Sequence, residues 1–194
     1  MENKTAIIIL AAGNSSRLGE PKQLLHYRGK TLLRHTADEA LKVTSQIVVV
    51  TGEADRQIED VIRDFHQIRN ENWAEGMASS LKAGLRETLK RFPEAEQFIF
   101  TVCDQPFVTA SVFQALVDTG NTSKKGIVAS SYADTLGVPV LFDSPYAEKL
   151  LNLNGQEGAR KLIQQYKDDT ASVPFPQGMW DIDTPEDYKK LINS

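Results

Sequence analysis

Two patterns of apolar positions take turns along the chain. Ala6-Ile7-Ile8-Ile9-Leu10-Ala11 is an unbroken apolar run, rich in β-branched residues and ending before Gly13. A half-exposed strand would alternate with polar residues, so an unbroken run reads as a strand covered on both faces. Ile47-Val48-Val49-Val50, closed by Thr51-Gly52, repeats the pattern, as does Phe98-Ile99-Phe100-Thr101-Val102; Ile127-Val128-Ala129 makes a fourth. Between these runs the spacing changes to three and four. Leu32, Leu33, Ala37, Ala40 and Leu41 predict a helix over 32–43, with Thr31 placed to cap it. Ile58, Val61, Ile62 and Phe65 predict the next helix, followed by a short stretch near Ile68. Met77, Leu81, Leu85 and Leu89 predict a helix over 76–92, and residues 112–117 are helical behind Thr109.

Buried strands alternating with helices imply a mainly parallel sheet with helices on both faces, a Rossmann-like three-layer α/β/α sandwich. Past residue 130 the alternation loosens. A strand is expected over 138–142, helices over 145–153 and 157–166, and a short strand at Val173. Thr184-Pro185-Glu186-Asp187 reads as a capped helix start with proline at the first helical position. With no repeat, low-complexity tract or linker, residues 1–194 are expected to form one domain. Ligands in such sheets gather beyond the carboxyl ends of the strands. The residues that follow each strand are therefore where chemistry is expected.

Composition narrows the partners. The 194 residues are 41% hydrophobic and 25% charged, which fits a globular chain and excludes a disordered one. A net charge of −4, from 22 basic and 26 acidic residues, argues against an extended nucleic-acid surface, which needs a cationic face. A single cysteine, Cys103, supports neither an internal disulfide nor a zinc site. The first apolar run is too short for a signal peptide or for a membrane span of about 20 residues. A cytoplasmic protein without nucleic-acid or membrane partners is the expectation.

The loop after the first strand, Leu10-Ala11-Ala12-Gly13-Asn14-Ser15-Ser16-Arg17-Leu18-Gly19-Glu20-Pro21-Lys22, combines small residues with two cations. Small side chains let backbone N–H groups approach a phosphate, and Arg17 and Lys22 can neutralise its oxygens. Neither the Walker spacing nor GxGxxG is present. Asp104 directly follows a buried strand, and Asp181 and Asp183 precede the last helix. Brought together, such carboxylates make a hard, oxygen-rich site suited to Mg²⁺. In an extended stretch Asp181 and Asp183 point oppositely, so one of them faces the metal, and spacing alone does not choose which. The stretch Glu75-Gly76-Met77-Ala78-Ser79-Ser80-Leu81 opens a helix whose start offers N–H groups to a base carbonyl or a phosphate. His26, His35 and His66 lack metal-ligand spacing, and Cys103 reads as a small buried thiol.

LAAGxSxRxGxPKQLL over residues 10–25 is similar to the opening signature of the molybdenum-cofactor nucleotidyltransferases. Leu10-Ala11-Ala12-Gly13 resembles the cytidylyl-transferring branch, whereas guanylyl-transferring relatives typically read Leu-Ala-Gly-Gly. The resemblance continues through Asn72-Trp73-x-x-Gly76-Met77-x-x-Ser80-Leu81-x-x-Gly84, Cys103-Asp104-Gln105-Pro106, Gly155-x-x-Gly158-Ala159-Arg160 and Asp181-Ile182-Asp183-Thr184-Pro185-Glu186-Asp187. It implies a nucleotide-diphospho-sugar transferase-like fold and Mg²⁺-dependent transfer of CMP from CTP to the terminal phosphate of molybdopterin, bare or molybdenum-loaded, with release of pyrophosphate. It implies catalytic roles for Arg17, Lys22 and Asp104. Nucleotide binding falls to Leu10, Ala11, Ala12, Gly13, Arg17, Lys22, Gly76, Ser80 and Asp104. Asp104 and Asp183, the latter favoured over Asp181, become the metal ligands, with Gln105 and Arg160 on the acceptor side. A molybdenum hydroxylase is the implied recipient of the product. Two departures bear on the acceptor side: Gln156 stands where relatives often carry aspartate, and Val138 where they often carry histidine. The alternatives are another acceptor or nucleotide, such as a sugar phosphate or GTP, and a noncatalytic protein that delivers cofactor to a molybdenum hydroxylase.

Overall fold

The computed structural model describes residues 4–13, 15, 17–52 and 55–193. Its strands are β1 (Thr5–Leu10), the small pair β2 (His26–Tyr27) and β3 (Lys30–Thr31), β4 (Ile47–Thr51), β5 (His66–Arg69), β6 (Gln97–Val102), β7 (Ile127–Tyr132), β8 (Thr135–Asp143) and β9 (Thr170–Pro174). Its helices are α1 (Leu32–Leu41), α2 (Asp55–Ile58), α3 (Met77–Arg91), α4 (Ala110–Ser123), α5 (Ala147–Leu151), α6 (Ala159–Gln165) and α7 (Pro185–Ile192). Seven strands form one sheet in the order β5-β4-β1-β6-β8-β7-β9. The pairs β4/β5, β1/β4, β1/β6 and β7/β9 are parallel, while β8 runs antiparallel to both β6 and β7. The sheet is mainly parallel, as its apolar runs predict.

The unbroken runs are buried on both faces because each face meets helices. Ala6, Ile8 and Leu10 of β1 pack with Leu81 and Leu85 of α3, Leu150 of α5 and Leu162 of α6. Ile7 and Ile9 pack on the other side with Leu33 and Ala37 of α1, Ile58 of α2, and Phe113 and Leu116 of α4. Each fully buried leucine, isoleucine or phenylalanine among them contributes about 1.5–3 kcal/mol. Gly84 sets how closely α3 lies on the sheet. A Cβ there would stand 2.5 Å from Ile8 Cγ2 and 2.7 Å from Val50 Cγ2. A third, smaller cluster joins Leu25, Tyr27 and Leu32 to Ile182 and Leu191. It ties the chain around Lys22 to the segment just before α7, although the two are far apart in sequence.

Three expectations change. The helix over 58–65 is instead the short α2 followed by a 3₁₀ turn, Glu59–Ile62. Ile62 O accepts from Phe65 N at 2.9 Å and from Gln67 Nε2 at 3.1 Å, so the chain leaves the helix there and enters β5. The helices over 145–153 and 157–166 shrink to α5, after a 3₁₀ turn at Ser144–Tyr146, and α6. Helix α4, in contrast, runs on from 117 to Ser123, past residues with low helix propensity. Thr122 Oγ1 donates to Asp118 O at 2.8 Å within that extension. The start of α7 matches expectation. Thr184 Oγ1 accepts from Asp187 N at 3.2 Å while the Asp187 carboxylate accepts from Thr184 N at 3.0 Å, a complete capping box. No helix among the described residues is long and apolar enough to cross a membrane.

Candidate functional site

The carboxyl ends of β1 and β6 are neighbours, with Leu10 registered against Val102. A cavity of about 290 Å³ opens there. It is lined by residues 10–13, Lys22, Gln23, Trp73, Ala74, Gly76, Met77, Ser80, 102–104 and Gln156. Asn14 and Ser16 of the first loop lie outside the described residues.

One end of the cavity is charged. Lys22 Nζ donates to Asp104 Oδ2 and lies 3.3 Å from Asp183 Oδ1, and Arg17 Nη2 donates to Asp183 Oδ2 at 2.8 Å. Exposure falls inward along this chain of contacts, from 69% for Arg17 and 39% for Asp183 to 16% for both Lys22 and Asp104. Lys22 is held in place by the turn around it, where its N–H donates to Ser15 Oγ at 2.9 Å. Burial would favour the neutral amine of Lys22. The Asp104 carboxylate outweighs it, with Asp183 adding to the effect, and holds the lysine above its ordinary pKa. Asp104 Oδ1 is buried and has no hydrogen-bond partner among the described residues.

Asp183 reaches this cluster because Ile182 is driven inward. Ile182 is 2% exposed, packs with Leu25 and Leu32, and donates its N–H to Asp104 O at 3.0 Å. The buried isoleucine fixes the acids on either side of it. Asp181 keeps an exposed surface, yet desolvation of its carboxyl, followed by the nearness of Asp104, pushes its pKa up to about 6. Burial pushes the Cys103 thiol up to about 12, so it stays protonated and is a poor nucleophile near neutral pH.

The other end is uncharged and built from close backbone contacts. Gly76 has φ +117°, and a Cβ there would lie 2.5 Å from Gly155 O. Ala78 N donates to that same oxygen at 3.1 Å. The helix start was expected to offer its N–H groups to a ligand; the Ala78 donor is instead taken by the turn before α6. Asn70, itself buried, donates through Nδ2 to Ser79 Oγ at 2.8 Å and to Ser80 Oγ at 3.0 Å. These bonds seat the first turn of α3 against the end of β5.

The structure thus gathers Leu10, Ala11, Ala12, Gly13, Lys22, Gly76, Ser80 and Asp104 around one cavity, with Arg17 and Asp183 joined to it through ion pairs. Gln105 and Arg160 are not among the lining residues. Gln105 is 1% exposed and donates through Nε2 to Gly178 O at 2.8 Å, an internal brace. Arg160 donates to Thr135 Oγ1 at 2.8 Å, beside a separate open cleft near the β7–β8 turn. Gln156, assigned from its motif to the acceptor side, lines the main cavity. Sequence reasoning also gave no role to Gln23. That residue is buried and donates through Nε2 to Ala11 O at 2.7 Å and Gly13 O at 3.1 Å, clamping the first loop. Its position directly after Lys22 in the opening motif was the available signal.

A family model described as the MobA-like NTP transferase domain matches residues 7–170. The molybdenum cofactor cytidylyltransferase of Escherichia coli K12 is 25% identical over 184 residues, covering 93% of this chain and 92% of that protein. The nicotine blue oxidoreductase of Paenarthrobacter nicotinovorans is 26% identical over 197 residues, covering 95% of each. The solved structure of Rv0371c from Mycobacterium tuberculosis H37Rv superposes with a TM-score of 0.84 at 30% identity and covers 100% of both chains. A structure of Rv0371c in complex with manganese superposes with a TM-score of 0.79 at 27% identity, covering 99% of this chain and 100% of that one.

Proposed function

Because the chain belongs to the MobA-like NTP transferase domain family and is a nucleotidyltransferase, we propose that it transfers CMP from CTP to the terminal phosphate of molybdopterin, releasing pyrophosphate. One observation carries this reading. Arg17, Lys22, Asp104 and Asp183 converge at one end of a cavity whose other end is neutral. A nucleoside triphosphate has the same polarity, with a charged tail and an uncharged base.

In this reading the triphosphate lies along residues 10–13, and Lys22 and Arg17 exchange their carboxylate partners for phosphate oxygens. The ammonium is kept protonated, so it arrives as a full positive charge. The acceptor phosphate is already anionic near neutral pH and attacks the α-phosphorus in line without a general base. Ser80 Oγ accepts from Asn70 and keeps its own O–H to donate to a carbonyl of the base.

The residues also fit a divalent cation. Asp104 and Asp183 converge on one positive group, the Lys22 ammonium, and Asp104 Oδ1 is a buried oxygen without a partner. No cluster of three or more His, Cys, Asp or Glu that could hold a metal occurs among the described residues. Two carboxylates completed by substrate phosphates and water is the usual Mg²⁺ arrangement. When bound, Mg²⁺ would offset negative charge at the reacting phosphate.

The test is pyrophosphate release from CTP and Mg²⁺ with molybdopterin, with GTP replacing CTP, and with sugar phosphates replacing the pterin. Turnover that requires both CTP and molybdopterin is expected. Turnover with sugar phosphates and none with molybdopterin would overturn the acceptor assignment, and preference for GTP would overturn the cytidylyl assignment.

A further inference from the structure

We infer that Gln156 binds the nucleobase, contacting the base edge with its side-chain amide. This rests on placing the nucleotide in the cavity at the β1 and β6 exits, and it assigns a residue that the motif alone put on the acceptor side. Gln156 stands in a turn closed by two bonds, Glu157 N to Asn154 O at 3.0 Å and Asn154 N to Glu157 Oε2 at 2.9 Å. Ala78 N pins that turn to α3 through Gly155 O at 3.1 Å. The Gln156 side chain consequently lies over Gly76, where a Cβ would come within 3.0 Å of its Cδ. It is exposed, it lines the cavity, and among the described residues its amide has no hydrogen-bond partner.

Charge decides which part of the nucleotide meets this amide. The phosphates are drawn to Lys22 and Arg17, which leaves the base at the neutral end beside Trp73, Met77 and Ser80. A base edge presents donors and acceptors without net charge, and an amide is the side chain that supplies both. Cytosine offers an amine donor at N4 and an acceptor at N3; uracil offers an acceptor at O4 and a donor at N3. A glutamine can turn its amide to suit either. A glutamate only accepts, so on either base it gains one donor and opposes one acceptor.

Calorimetric titration of the full chain with CTP, UTP and inorganic triphosphate, each with Mg²⁺, tests this. Gln156→Glu should weaken CTP and UTP alike, by about tenfold, since its carboxylate opposes cytosine N3 or uracil O4. Gln156→Leu should weaken both nucleotides by about fivefold and leave inorganic triphosphate unchanged, since the phosphate end is untouched. Affinity for CTP and UTP unchanged in both variants would overturn the inference. So would a Gln156→Leu protein that loses inorganic triphosphate as strongly as CTP. Weakened CTP and UTP binding with inorganic triphosphate unchanged, in a protein whose parent does not turn over with molybdopterin, supports the base-binding role and defeats only the acceptor assignment.

Discussion

At the charged end of the cavity, side chains from three distant segments hold one another: Arg17 and Lys22 from the first loop, Asp104 after β6, and Asp183 before α7. At the neutral end, backbone meets backbone, with Gly76 against Gly155 and Ala78 N on Gly155 O. Ion pairs between long side chains can change partners when a ligand arrives. A backbone contact made through a glycine at φ +117° cannot do so without strain. One end is therefore built to exchange charges and the other to keep its shape. Changes at the first should alter function with little effect on folding, and changes at the second should affect both.

The largest effect is expected for Asp104→Asn, which should lower pyrophosphate release by about 10²-fold or more, as loss of metal-assisted charge stabilisation does. Its melting temperature should fall only slightly, because Lys22 keeps Asp183 as a partner and the new amide still accepts a hydrogen bond. A large fall in melting temperature would break the distinction between the ends. Lys22→Met comes next. It should slow turnover by about 10- to 10²-fold, and it should tighten Mn²⁺ binding in the absence of nucleotide, because the ammonium no longer competes for Asp104 and Asp183. Electron paramagnetic resonance reads free Mn²⁺ directly, and weaker binding in the variant would contradict the competition. Gly76→Ala should cost about 1–3 kcal/mol of stability from backbone strain and the clash with Gly155 O. Thermal unfolding should show the loss, and CTP affinity should fall alongside it. The smallest effect belongs to Arg17→Ala. This exposed pair should leave unfolding unchanged and raise KM for the nucleotide only a few-fold, with the difference fading at high salt.

The parts of the fold legible in the sequence are those whose signal is local. Runs buried on both faces, such as β1, β4 and β6, leave a continuous apolar trace that no other element explains. The β7–β8 hairpin left none. Its two turn residues, Ala133 and Asp134, have φ of 46° and 58°, a conformation usually announced by asparagine or glycine. Without that cue the reversal of β8 stays hidden, although its apolar stretch over 138–142 is plain. The site divides in the same way. Lys22 and Asp104 can be found because each follows a strand, where ligands gather. That Asp183 joins them depends on Ile182 entering a cluster with Leu25 and Leu32, a long-range packing event. The place of Gln156 over Gly76 depends likewise on a contact between residues almost eighty positions apart.

Gln23 has a thermodynamic consequence. Its amide holds the carbonyls of Ala11 and Gly13, and because the peptide unit is planar and trans, the N–H of Ala12 must face the opposite way. Residues 11–13 therefore lose their freedom when the chain folds, before any ligand is present. Little conformational entropy remains to be lost on association, so binding at this loop should be less opposed by ordering than binding to a slack loop of the same composition. The small residues 11–13 supply room, and the buried glutamine beside Lys22 makes that room permanent.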